Sequence, residues 1–92
     1  MPLDPKPSEE ELVFAREIAR ATEFSAYYRN GPHEKYVERG IPTFEEARVR
    51  ADALEAQHSK FGRKAIVYAI SPLGTFDCND RLMAIVRDMA ND

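Results

Sequence analysis

His33, His58, Asp77 and Cys78 are the side chains of this 92-residue chain best suited to chemistry, because imidazole nitrogen, thiolate sulfur and carboxylate oxygen are all zinc ligands. Their spacing argues against a metal centre, since no Cys-x-x-Cys or His-x-x-x-His pair is present. Neither a metal nor any other cofactor is therefore expected. His58 falls on the apolar face of an amphipathic segment, where burial could tune it as a general base. The plainer reading is a boundary histidine in a last helical turn, favoured by the helix dipole and by Phe61. Cys78 would need a neighbouring base to form thiolate, whereas the preceding Asp77 raises its pKa by repulsion, so an inert thiol is expected. Gly-rich phosphate loops, Gly-x-Ser-x-Gly elbows and His-Glu-x-x-His pairs do not occur, and His33-Glu34 has no second histidine. No catalytic residue is assigned, and the chain is read as a non-enzyme.

Binding is the alternative use of these residues. Residues 24–64 hold eight Lys or Arg against six Asp or Glu, while the two flanks together hold five against ten. Within the mildly positive middle, Arg29, Lys35, Arg39, Arg63 and Lys64 accompany Tyr27 and Tyr36. Cations and stacking rings on one hairpin surface are what single-stranded nucleic acid requires, but a solvated strand face explains the same charges. A formal charge of −3 for the whole chain opposes wholesale attraction to nucleic acid or anionic membrane. The first expectation is accordingly a small regulatory or interaction module that binds a protein partner or a second copy of itself. Val13 and Phe14, flanking the main apolar stripe of the first helix, are the candidate homodimer contact. Nucleic acid bound at the 27–39 hairpin is the alternative.

The elements that must position these residues follow from caps, turns and periodicity. Pro2, Pro5 and Pro7 make residues 1–7 an extended, flexible lead-in, leaving 8–92 as one domain. Ser8-x-x-Glu11 is a capping box, and Leu12, Ala15, Ile18, Ala19 and Thr22 form a helical stripe, predicting a helix over about 9–22. Phe24 to Arg29 could prolong the first helix as far as the Asn30-Gly31 stop, but their alternation, the Asn30-Gly31-Pro32 turn and a polar run from His33 to Arg39 favour a β-hairpin with a charged edge strand. Gly40 and Pro42 break the chain. Thr43-Phe44-Glu45-Glu46 caps a second helix with Phe44, Ala47, Ala51, Leu54, His58 and Phe61 on one face, ending near His58 or Lys60 with Gly62 as its stop. Lys64 to Ser71 is a continuous apolar run that suits a central strand covered on both faces. Pro72-Leu73-Gly74 turns it into a short partner over Thr75–Cys78. Asn79 or Asp80 caps a last helix with Leu82, Ile85, Val86 and Met89 inward. The fold class is α+β: a four-stranded, mainly antiparallel sheet from two hairpins, covered by helices, in the order α-ββ-α-ββ-α.

Tyr-Tyr-Arg-Asn-Gly at 27–31, Thr-Phe-Glu-Glu-Ala-Arg at 43–48 and Gly-Arg-Lys-Ala-Ile-Val-Tyr-Ala-Ile-Ser-Pro-Leu-Gly at 62–74 together resemble short bacterial proteins of uncharacterised function. The resemblance spans about half the chain. It implies a ββαββ unit and brings no catalytic residue. The lone cysteine, the absence of an apolar leader at the N-terminus and the absence of about 18 consecutive apolar residues predict a cytoplasmic protein without a membrane span.

Overall fold

The computed structural model describes residues 5–59 and 63–91. Three helices and four strands follow one another as α1 (Glu9–Arg20), β1 (Glu23–Asn30), β2 (Glu34–Ile41), α2 (Phe44–His58), β3 (Ile66–Ser71), β4 (Gly74–Asp77) and α3 (Asp80–Ala90). The strands form one sheet in the order β2-β1-β3-β4, every neighbouring pair antiparallel. This is the expected α+β architecture. β2 is an edge strand, as its charges predict.

Helix starts match their sequence signals. The Ser8 hydroxyl accepts from the Glu11 amide at 3.1 Å while the Glu11 carboxylate accepts from the Ser8 amide at 3.0 Å, closing the capping box. At α2 only the forward half forms: Thr43 Oγ1 accepts from the Glu46 amide, and the Glu46 carboxylate turns instead to Arg50. Asn79, rather than Asp80, caps α3 by accepting from Leu82. Helix α1 stops at Arg20, two residues earlier than its periodicity suggests, because Ala21 is already extended and leads into β1. Ala19 and Thr22 are consequently exposed, and Phe14 packs inward on Phe76 with ring centroids 5.4 Å apart. Lys60, Phe61 and Gly62, the expected end of α2, lie outside the described residues.

Helices α1 and α2 lie against one face of the sheet, and α3 packs on α1. The inner face carries Phe24, Ala26 and Tyr28 of β1 opposite Ala69 and Val67 of β3, all buried, with α2 laid across them through Ala47, Ala51 and Leu54. Alanines on both sides of that contact let helix and sheet approach closely. Helices α1 and α3 pack on each other, and α1 also covers β3 and β4. Arg81 of α3 donates to Glu11 of α1 at 3.0 Å and to the Pro5 carbonyl at 2.7 Å, so the lead-in is tied to α3 at that point. Residues 1–4 lie outside the described part.

A bulge in β2 sets the phase of its side chains. Phe24 pairs with Ile41 and Ala26 with Glu38, so Arg39 and Gly40 together stand opposite Ser25. Gly40 takes φ 70°, a left-handed conformation that costs side-chain-bearing residues energy. Strict alternation would turn Ile41 to the outer face. The extra residue returns it to the core, where it is 1% exposed.

Candidate functional site

Among the described residues, no helix lies on the outer face of the sheet. Antiparallel register gathers there Ser25, Tyr27 and Arg29 of β1, Lys35 and Val37 of β2, Ile66, Tyr68 and Ile70 of β3, and Thr75 and Asp77 of β4. Arg39 joins them beside Val37 in a shallow depression of about 350 Å³ floored by Ser25 and walled by Tyr27, Tyr68 and Ile70. Arg63 and Lys64, just before β3, border a second depression with Tyr27, Arg29, Ile66 and Tyr68. The expectation that β3 is covered on both faces is thereby corrected. Its Val67 and Ala69 are buried, whereas Ile66, Tyr68 and Ile70 are only partly so, because the helices that contact the sheet, α1 and α2, cover one side of it.

Tyr27 and Tyr68 are the rings of this face, edge to face with centroids 6.1 Å apart. Around them, Arg29, Lys35, Arg39, Arg63 and Lys64 have no carboxylate partner among the described residues, although Arg29 Nε donates to the Gly31 carbonyl at 2.7 Å. Elsewhere Arg20, Arg48, Arg50 and Arg81 are paired to carboxylates. Arg16 and Arg87, also without a carboxylate partner among the described residues, sit apart on exposed helix surfaces. Two acidic residues, Glu23 and Asp77, share the open face. Partial burial pushes the Asp77 carboxyl up, and the Tyr68 phenol is raised by burial first, then by the charges of Asp77 and Tyr27.

The segment bearing Arg63 and Lys64 is held from behind. The Ala65 amide donates to Glu55 at 2.8 Å, and Arg48, itself paired with Asp52, donates to the Ala65 carbonyl at 3.2 Å. Both partners come from α2, so the helix behind the sheet fixes where these cations enter the face in front.

Of the seven residues read from sequence as one binding surface, Tyr27, Arg29, Lys35, Arg39, Arg63 and Lys64 converge, and Tyr36 does not. Tyr36 pairs with Tyr28 on the inner face, stacks on His58 with centroids 3.8 Å apart, and donates its hydroxyl to Glu34 at 2.5 Å. That bond is the main cause of its raised pKa. Asn30 donates to the His58 carbonyl, closing α2 onto the hairpin. His58 is thus an element of packing at a helix end, and exposed His33 sits in the hairpin turn. Tyr68 is the residue that sequence reasoning missed.

Cys78 is buried with its amide donating to the Val67 carbonyl at 2.9 Å, and burial pushes its thiol up to about 12. Among the described residues no three of His, Cys, Asp and Glu converge as metal ligands would. No described helix is long and apolar enough to cross a membrane. Of the two candidate dimer residues, Phe14 is half-buried on Phe76 and Val13 is 44% exposed. No known protein family, curated protein or solved structure matches this chain.

Proposed function

We propose that this chain is a non-catalytic binding module whose open sheet face takes single-stranded nucleic acid. One observation carries the reading: the open face unites two neighbouring tyrosines with five cations that have no ion-pair partner among the described residues, in a chain of net charge −3. Base rings stack on aromatic side chains, and a surrounding set of cations tracks the phosphates. A duplex, whose bases are already stacked, offers the tyrosines nothing.

Sequence alone ranks a protein partner or a second copy ahead of nucleic acid. The segregation of charge favours nucleic acid over a second copy at this face, because docking it on itself would bring two such cation sets together. Salt titration of a fluorescent homopolymeric single strand tests the reading. Binding should weaken with salt, log K falling against log salt with a slope of up to about −3.5 if all five cations meet phosphates. No salt-sensitive binding to RNA or DNA single strands would overturn it.

A second copy has a separate place to dock. Glu9, Leu12, Val13 and Arg16 border one depression on α1, so two antiparallel copies crossing at Leu12 and Val13 would set each Glu9 against the other's Arg16. Light scattering that shows only monomer at high concentration would remove this dimer.

A further inference from the structure

Asp77 is out of place on a face suited to phosphates. It lies directly across from Tyr68 in the β3–β4 pair, at the edge of the tyrosine platform, and has no hydrogen-bond or ion-pair partner among the described residues. Its carboxylate repels a polyanion unless it meets donors there. An ionised carboxylate only accepts hydrogen bonds, and it accepts two side by side with the best geometry.

The bases differ in what they bring to such a group. A base lying on Tyr68 has its Watson–Crick edge free, as unpaired bases do. Guanine presents N1–H and the N2 amino group as adjacent donors. Adenine and cytosine each set an amino group beside a ring nitrogen that accepts and so repels a carboxylate. Uracil and thymine hold one N–H between two carbonyl oxygens. Two parallel donors are therefore guanine's alone among the common bases.

We infer that the open face selects guanine, with the base stacked on Tyr68 and the Asp77 carboxylate accepting from its N1–H and N2–H. The inference rests on the single-strand reading above and names the base that this surface prefers.

Short fluorescein-labelled uridine strands with one central guanine, inosine, adenine or cytosine, titrated by anisotropy at fixed salt, test it. The guanine strand binds the wild type at least about fivefold tighter than the adenine and cytosine strands, the span expected of a bidentate pair. Inosine, which lacks the N2 amino group, falls between. Asp77→Asn loses this preference but still binds the all-uridine strand, and Tyr68→Ala weakens every strand. Equal binding of all strands, or a guanine preference that survives in Asp77→Asn, overturns the guanine assignment and leaves single-strand binding standing. Binding of no strand at all overturns both.

Discussion

Tyr27 and Tyr68 sit on adjacent central strands with their ring planes at 75° and centroids 6.1 Å apart, on the side of the sheet that no described helix covers. Each ring supports its neighbour edge-on and keeps part of its surface available, a standing platform rather than a pair sealed into a core.

If that platform binds bases, Tyr27→Ala and Tyr68→Ala each weaken single-strand binding by about 1–3 kcal/mol, the usual worth of one stacked base. Anisotropy titrations measure the loss, and circular dichroism checks that the sheet persists. Tyr36→Ala provides the contrast: it removes a ring from the other face, so thermal stability falls with little direct effect on affinity.

Gly40→Ala destabilises the fold by about 1–2 kcal/mol, because the bulge requires a left-handed backbone that a Cβ opposes. Apart from Gly40 itself and its two chain neighbours, no described residue has an atom within 4 Å of the position such a Cβ would take, so the loss measures conformation rather than crowding. Urea denaturation of the two proteins checks it.

Ala51 is fully buried on the sheet-facing side of α2, and Ala51→Leu forces helix and sheet apart at a cost of about 1–3 kcal/mol. Chemical denaturation reads this directly. An unchanged midpoint would mean that the helix is not seated as described.

The Glu11 carboxyl is held down to about 2, from 4.5, chiefly by its hydrogen bond from Arg81 and then by the Ser8 amide. A carboxyl whose folded pKa lies below its unfolded one stabilises the fold at neutral pH. That contribution is complete above about pH 5 and disappears as pH falls through about 4.5 toward 2. Thermal melts of wild type and Glu11→Gln should therefore differ most at neutral pH and converge in acid.

Cys78, with its thiol pushed up to about 12, stays unreactive toward a thiol-specific reagent at mildly alkaline pH until the protein unfolds. Labelling kinetics with and without denaturant measure this. Native labelling as fast as a free thiol would contradict the buried placement.

The elements were largely legible in the sequence, because caps and turns are local. Ser8, Thr43 and Asn79 announce their helices, and Asn30-Gly31 and Pro72-Leu73-Gly74 their hairpins. The candidate surface was legible in part. Tyr27 and Tyr36 look equivalent along the chain, but the register sets Tyr27 against Val37 and Tyr36 against Tyr28, sending the two rings to opposite faces. Tyr68 escaped notice because Ile66 to Ile70 reads as a fully buried run. The corrective signal is the small Ala69 alternating with Tyr68 and Ile70. Which side of a strand meets helices is decided by how many helices there are and where they pack, a long-range property that no local pattern records.

The contact between α1 and α3 also has a consequence for biosynthesis. A ribosome makes α1 well before α3, the helix that packs on it, so the apolar surface of α1 remains incompletely sheltered until α3 emerges. Premature termination before Leu82 would strand that surface in water, making such fragments natural substrates for chaperones and proteases.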